Sequence, residues 1–189
     1  MSVNKPQYLI VHHTGGTDQD PLADTAHHSF EIVNEWHKQK FNFVSSLGFY
    51  IGYHYFIDFN GKVTQGRADT DEGAHTIGKN LTSLGICMAG NFDLTKPTTA
   101  QASALKALLL AKMGQYAIPK AKVVPHRAFA TKTCYGRNLS DTWAQELVAA
   151  PVPPPVVVPP VPPTPSNGAL VDEIRRKLVE VDALLGKIK

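Results

Sequence analysis

Residues 126–134 read His-Arg-Ala-Phe-Ala-Thr-Lys-Thr-Cys and carry three side chains suited to one reactive site. The imidazole of His126 and the thiol of Cys134 are eight residues apart, and the ammonium group of Lys132 lies between them. Imidazole nitrogen and thiolate sulfur are two of the ligand types that zinc favours. Because two ligands do not complete a zinc site, this stretch predicts a third ligand elsewhere in the chain.

The best candidate for a third ligand lies far upstream, where residues 9–14 read Leu-Ile-Val-His-His-Thr. The apolar run before the two histidines predicts a buried strand. Successive strand residues point to opposite faces, so only one of His12 and His13 can enter a shared pocket. Both faces carry apolar residues, so the spacing alone does not choose between them. Zinc sites with three protein ligands and an open fourth position are typical of catalysis.

Length, composition and charge narrow the functional class. The 189 residues suffice for one core and a short appendage, and 43% hydrophobic with 19% charged residues is typical of a soluble globular protein. The formal charge of +3 is mild and no lysine- or arginine-rich run is present, so nucleic acid is not expected as a partner. No signal-peptide segment and no stretch of ~20 apolar residues is found, which predicts synthesis in the cytoplasm and no transmembrane segment.

The two cysteines do not form the pattern of a secreted disulfide scaffold. Cys87 lies in the apolar run 84–89, which predicts a buried strand and a core position for its thiol. A disulfide between Cys87 and Cys134 stays open at this point, although it would consume a predicted ligand.

Strand signals alternate with helix signals along residues 8–149. The apolar residues Phe30, Val33 and Trp36 recur at three-residue spacing and predict a helix that begins at about Asp24, capped by Asp24 or Thr25. The other predicted elements are a strand over 51–58, a hairpin turn at Asn60-Gly61, a return strand over 62–65, a strand over 83–89, a helix over 98–117 capped by Thr98 or Thr99, a strand over 122–124 and a helix over 141–149.

The composition changes sharply after residue 150. Residues 151–166 consist mostly of proline and valine, which predicts a semi-rigid linker in an extended polyproline conformation. Residues 167–189 predict a helix with an apolar stripe at heptad spacing, formed by Val171, Ile174, Leu178, Val181, Leu185 and Ile188. Self-association, docking on a partner and folding back on the preceding domain are the open roles for this helix, and the first two are favoured.

Four blocks of the chain, taken together, resemble the type-2 N-acetylmuramoyl-L-alanine amidases. This superfamily includes phage lysozyme-type amidases and peptidoglycan recognition proteins, and the resemblance covers about residues 8–148. One such block would carry little weight, whereas four in the same order are specific. The blocks are Ile10-Val11-His12-His13-Thr14, Gly52-Tyr53-His54-Tyr55-Phe56-Ile57 with Asn60-Gly61, Gly73-Ala74-His75 with Asn80 and Leu84-Gly85-Ile86, and His126-Arg127 with Lys132 and Cys134.

The resemblance implies an α/β fold in which helices flank a mixed central β-sheet and zinc lies in a surface groove. It implies hydrolysis of the amide between the lactyl group of N-acetylmuramic acid and L-alanine. It also assigns the first histidine of the opening strand as a ligand. The implied zinc ligands are therefore His12, His126 and Cys134, and the implied substrate-binding residues are His75 and Asn80.

Two further residues match catalytic groups of the family. Amide hydrolysis passes through an oxyanion, so a cation or hydrogen-bond donor near the metal should help. The resemblance implies that Lys132 and Tyr53 are these groups. Without the resemblance, Lys132 could be a solvated loop lysine, and Tyr53 could be a strand aromatic packed in the core. Four other histidines are not expected to bind metal, namely His27, His28, His37 and His54.

The chain departs from the family around the last ligand, where members often read Asp-Cys-Pro-Gly and this chain reads Thr133-Cys134-Tyr135-Gly136. The cysteine is kept, so metal binding is expected to survive. The predicted function is that of a bacteriolytic phage endolysin, which is made in the host cytoplasm and acts on the cell wall after release. The alternatives are a peptidoglycan-binding recognition module without activity, an amidase toxin and a wall-remodelling enzyme.

Overall fold

The computed structural model describes residues 3–149 and 176–177, in a chain that divides into two compact units, Met1–Pro151 and Val152–Lys189. The predicted linker at 151–166 lies outside the described residues, as does the predicted heptad helix apart from Arg176 and Lys177, which are helical. The domain boundaries therefore stay predictions. None of the described helices combines the length and apolar character needed to cross a membrane.

Five strands form one mixed sheet in the first unit. They are β1 (Tyr8–His13), β2 (Tyr55–Ile57), β3 (Val63–Gln65), β4 (Ser83–Met88) and β5 (Val123–Pro125). Their spatial order is β3-β2-β4-β1-β5, with β3 antiparallel to β2 and all other neighbours parallel. The central strands β1 and β4 are covered on both faces, which is why their sequences are continuous apolar runs.

Helices cover both faces of this sheet, so the predicted α/β architecture is confirmed. The helices are α1 (Phe30–Phe41), α2 (Thr99–Tyr116) and α3 (Trp143–Ala149), with short 3-10 turns at Lys120–Lys122 and His126–Ala128. On one face, Phe30 and Val33 of α1 pack with Phe56 and Cys87 of the sheet. On the other face, α2 and α3 pack against alternate residues of the same strands, among them Leu9, Val11, Leu84 and Ile86.

The start of α1 differs from the prediction, because the helix begins at Phe30 and not at about Asp24. Its cap is Ser29, whose side chain accepts a hydrogen bond from the backbone N–H of Ile32. The side chains of Asp20 and Asp24 accept instead from the N–H groups two residues ahead of them, each at 2.9 Å. Such local bonds compete with helix formation and hold this segment in turns. The expected start of α2 is confirmed, since Thr98 forms a capping box with Gln101.

The strand β2 begins at Tyr55, four residues later than predicted. The backbone N–H groups of Tyr50 and Ile51 donate to Oδ1 of Asn34, and that of Gly52 donates to Nδ1 of His37. Side chains of α1 therefore take the backbone donors that a longer strand would use in a ladder. These hydrogen bonds hold residues 50–52 against α1, immediately before Tyr53.

Candidate metal site and groove

The structure brings the three predicted ligands together at one edge of the sheet. His12 lies near the end of β1, His126 follows the end of β5, and Cys134 lies in the loop that comes next. Because β1 and β5 are parallel neighbours, their carboxyl ends meet at the same edge. His12 pairs in register with Cys87 of β4 and so points to the face covered by α1, whereas His13 pairs with Met88 and points to the other face.

The donor atoms of His12, His126 and Cys134 all lie within 4.8 Å of one another. Nδ1 of His12 is 3.7 Å from Sγ of Cys134. Zinc bonds of about 2.0 Å to nitrogen and about 2.3 Å to sulfur place tetrahedral ligand atoms roughly 3.5 Å apart. Two imidazoles and one thiol at this spacing therefore fit a zinc ion with three protein ligands.

The ionisation of these side chains also suits a metal site. Burial holds the pKa of His12 well below its usual value, and neighbouring histidines lower it further. Burial, with a smaller effect of Lys132, lowers the pKa of His126 to about 4, so both imidazoles are neutral at pH 7. Burial raises the pKa of the Cys134 thiol to about 12, which means that a bound cation is needed to form the thiolate at neutral pH.

His75 lies against the outer nitrogen of His12. The distance between Nε2 of His12 and Nδ1 of His75 is 3.0 Å. With Nδ1 of His12 directed at the ligand cluster, its Nε2 carries the proton and donates to His75. Partners of this kind fix the tautomer and the ring orientation of a histidine ligand. His75 thus contacts a predicted ligand directly, in addition to lining the groove described next.

A groove of about 1060 Å³ opens over the cluster. Its walls include segments at 13–19 and 36–41 as well as the predicted site residues His12, Tyr53, His75, His126, Lys132 and Cys134. Six of the seven residues proposed from the sequence therefore share one surface. The assignment of their individual roles stays a prediction.

Tyr53 and Lys132 lie on the walls of this groove. The ring of Tyr53 is centred 4.9 Å from that of His12. Burial, with smaller contributions from the Cys87 and Cys134 thiols, raises the pKa of Tyr53 well above its usual value, so its hydroxyl is a neutral donor. Lys132 is exposed, two residues before Cys134. A buried hydrogen-bond donor and an exposed cation therefore both line the groove that contains the cluster.

Asn80 is the predicted site residue that the structure does not place in the groove. Its Oδ1 accepts hydrogen bonds from the backbone N–H groups of His75 and Thr76, at 3.0 and 2.9 Å. The amide therefore holds the loop that carries His75. Its proposed contact with substrate stays a prediction, and the observed contacts support a role in placing His75.

His37 contributes to the groove but was not among the site residues proposed from the sequence. Its Nδ1 accepts from the N–H of Gly52 at 2.7 Å, and its ring lies 5.2 Å from that of Tyr53. Because Nδ1 accepts, the proton of the neutral ring is on Nε2. The signal was available, since His37 follows Phe30 and Val33 at helical spacing on the buried side of α1.

Both cysteines are free thiols, so the disulfide left open by the sequence is not formed. Cys87 is fully buried in β4, as its apolar surroundings predict. Among the described residues, the group of side chains spaced to hold a metal ion consists of His12, His126 and Cys134. That His27, His28, His37 and His54 do not bind metal stays a prediction.

Comparison with known proteins places this arrangement in a family. The model of the N-acetylmuramoyl-L-alanine amidase family matches residues 2–137. The endolysin of Enterobacteria phage K11 is 34% identical over 126 residues, which are 62% of this chain and 77% of that protein. Peptidoglycan-recognition protein SD of Drosophila melanogaster is 30% identical over 154 residues, which are 78% of this chain and 79% of that protein.

A solved structure shows the same fold. The N-acetylmuramoyl-L-alanine amidase LysC from Clostridium intestinale URNW superposes with a TM-score of 0.62 and 26% sequence identity, covering 78% of this chain and 88% of that one. The match to the family model spans both the strand of His12 and the loop of Cys134. The chain therefore belongs to the N-acetylmuramoyl-L-alanine amidase family, in which its relatives include phage endolysins and peptidoglycan-recognition proteins.

Proposed function

We propose that this protein is a zinc-dependent amidase that cleaves the bond between the lactyl group of N-acetylmuramic acid and L-alanine in peptidoglycan. The observation that carries the proposal is the cluster of His12, His126 and Cys134 at the base of a groove with a hydroxyl and an ammonium group on its walls. Membership of the amidase family supports it. A groove of this size accommodates a sugar together with the first residues of a stem peptide.

His12, His126 and Cys134 would hold the zinc ion. Zinc in a site with an open position supplies a Lewis acid for the scissile carbonyl and lowers the pKa of a water molecule to about 7. The two imidazoles meet the requirement that the ligands be neutral nitrogen donors, because burial keeps them unprotonated. His75 holds the His12 ring in the orientation that leaves Nδ1 free for the ion.

Tyr53 and Lys132 act on the negative charge that develops on the carbonyl oxygen. The Tyr53 hydroxyl is a neutral hydrogen-bond donor because burial keeps it protonated. It is also placed in advance, since His37 binds the backbone of the preceding residue, Gly52. The exposed ammonium group of Lys132, in the lining of the same groove, supplies positive charge to this oxygen. Donors fixed before the reaction stabilise the transition state without the cost of reorganisation.

The proposed biological role is host-cell lysis by a phage endolysin. Endolysins of phages K11 and T7 are 34% and 30% identical to this chain, and the alignments cover 77% of each of them. In this role the protein would reach the cell wall after release from the cytoplasm. Lysis of bacteria with permeabilised envelopes by the purified protein would support the role. If the protein digests purified peptidoglycan completely but leaves such bacteria intact, the role would be contradicted.

A recognition module that binds peptidoglycan without cutting it is the second candidate, because a peptidoglycan-recognition protein is 30% identical over 78% of this chain. Such a module has no chemical need for three clustered metal ligands. The presence of all three in one groove favours the enzyme. The two functions differ in a single readout, which is whether bound peptidoglycan is hydrolysed.

Metal analysis and digestion of purified peptidoglycan test the proposal together. The wild-type protein should contain about one zinc ion and release new L-alanine amino termini without new reducing sugars. Cys134→Ala should lose both zinc and activity, whereas His27→Ala, a matched change at an exposed histidine outside the groove, should keep both. Full zinc content and full digestion by Cys134→Ala would refute the mechanism. Binding without any release by the wild type would establish the recognition module.

A further inference from the structure

The two residues that flank Cys134 are both held in place by their side chains. Oγ1 of Thr133 donates a hydrogen bond to Oδ2 of Asp93 at 2.7 Å. Tyr135 is fully buried, and its hydroxyl donates to the carbonyl of Ser140 at 2.9 Å. The loop that carries a predicted metal ligand is therefore anchored on both sides, so the position of the thiol is set before an ion arrives.

Asp93 holds this loop at a second point. Its Oδ1 accepts from the backbone N–H of Arg137 at 2.8 Å. Thr133 precedes Cys134 by one residue and Arg137 follows it by three, so a single carboxylate spans the turn that presents the thiol. Hydrogen bonds to an ionised acceptor are about twice as strong as those between neutral groups. Neighbouring hydrogen-bond donors also keep the pKa of Asp93 below its usual value, despite an opposing effect of burial.

The turn that carries Asp93 is itself tied to β1. The backbone N–H of Phe92 donates to Nδ1 of His13 at 2.9 Å, and the carbonyl of Phe92 accepts from the N–H of Asn138 at 3.2 Å. Covalent and hydrogen bonds thus form a continuous connection between two predicted ligands. It runs through His12, His13, Phe92, Asp93, Thr133 and Cys134.

We propose that Asp93 is a positioning residue that, through Thr133, sets the distance between Cys134 and His12 and so sets the affinity for zinc. The inference rests on the proposed function, because it takes these two residues as ligands. A carboxylate at position 133 would repel Asp93, whereas the hydroxyl of Thr133 donates a hydrogen bond to it.

The zinc affinity of the full chain, measured by competition with a chromophoric chelator, tests this role. Thr133→Val removes the hydroxyl while keeping shape and charge, and it should weaken zinc binding about tenfold, since loss of a partner that orients a ligand typically costs 10- to 100-fold. Thr133→Ser keeps the hydroxyl and should restore binding to within about twofold of wild type. The matched control is Thr95→Val, because Thr95 follows Asp93 by two residues but its hydroxyl donates to the carbonyl of Asn91. Its zinc affinity should equal that of wild type.

A second variant keeps the test decisive if Thr133→Val does not fold. Asp93→Ala removes the acceptor of the Thr133 hydroxyl without changing Thr133, so it should by itself weaken zinc binding about tenfold, and wild-type affinity in this variant would overturn the inference. Where Thr133→Val folds, adding it to Asp93→Ala should cost little more, because both changes remove the same hydrogen bond. Wild-type affinity in Thr133→Val, or losses that add fully in the double variant, would overturn the inference. A wild-type protein that binds no zinc would instead refute the proposed function, so the two failures are distinguishable.

Discussion

His75 contacts His12 directly, with 3.0 Å between Nδ1 of the former and Nε2 of the latter. The resemblance noted in the sequence predicts a substrate-binding role for His75, and its place in the groove wall is compatible with that role. The contact with His12 adds a different role, in which His75 fixes the ring of a predicted ligand. The two roles affect different measurable quantities.

Replacement of His75 by alanine should lower zinc affinity about tenfold, because the His12 ring loses the partner that fixes its tautomer and orientation. Chelator competition measures this loss, and activity at saturating zinc measures what remains of the substrate contact. The control substitution is His27→Ala, at an exposed histidine. Unchanged zinc affinity with a raised KM would show that His75 serves the substrate alone.

Replacement of Lys132 by methionine should lower kcat by about 100-fold, which is typical for the loss of one donor to a developing oxyanion. Methionine keeps most of the length of the side chain and removes the charge. The zinc content should stay at the wild-type level, because the ammonium group is not among the ligands. Steady-state release of amino termini measures kcat, and Lys62→Met, in the exposed hairpin, is the control. A wild-type kcat in Lys132→Met would assign this residue to the solvated surface.

The order of the elements and the ligand candidates could be predicted because each depends on local sequence. The strand of His12 is an unbroken apolar run, and β5 leads directly into His126. Spacing alone could not choose between His12 and His13, since both faces of β1 are buried and either side chain would fit the pattern, and the choice of His12 rested on the family resemblance. Register with β4 decides it, and register depends on residues far away in the chain.

Other features could not be predicted from the sequence because they depend on contacts between segments that are far apart in the chain. The contact of His75 with His12 and the anchoring of Thr133 by Asp93 join residues separated by 63 and 40 positions. The predicted start of α1 was wrong because Asp24, its first candidate cap, accepts a hydrogen bond from the backbone N–H of Ala26 and holds a local turn instead. Spacing reports which face a residue occupies, but not which distant atom it meets there.

The predicted heptad helix at 167–189 should cause weak self-association. Leu178 and Leu185 lie on its apolar stripe, so Leu178→Ser with Leu185→Ser should abolish any oligomer while Lys187→Ala, off the stripe, should not. The apolar stripe from Val171 to Ile188 spans fewer than three heptads, so we expect association only at high protein concentration. Sedimentation equilibrium over a range of concentrations measures it. A monomer mass at every concentration in the wild type would leave docking on a partner and folding back on the preceding domain as the roles of this helix.

Acid should destabilise the fold partly through Asp69, whose carboxylate joins β2 to α2. It accepts hydrogen bonds from the hydroxyls of Tyr55 and Tyr116 at 2.6 and 2.8 Å and forms an ion pair with Lys112 at 2.7 Å. Burial alone would raise the pKa of Asp69, but these three donors outweigh it and the pKa lies below its usual value. The stabilisation is therefore complete above the unfolded-state pKa of about 3.9 and is lost as the pH falls through the lower folded-state pKa.

Substitution of Asp69 by asparagine tests this linkage. The variant leaves Lys112 without its charged partner in a largely buried position, so the free energy of unfolding at pH 7 should fall by about 3 kcal/mol. Between about pH 5 and pH 2 the stability of the variant should then decline less steeply than that of wild type, because one linked carboxylate has been removed. Urea unfolding across this range measures both effects. Asp18→Asn is the control, since Asp18 forms an ion pair with Lys40 in which both side chains are exposed, and such a pair contributes little. Equal pH dependence in Asp69→Asn and wild type would show that the Asp69 cluster does not contribute to acid sensitivity.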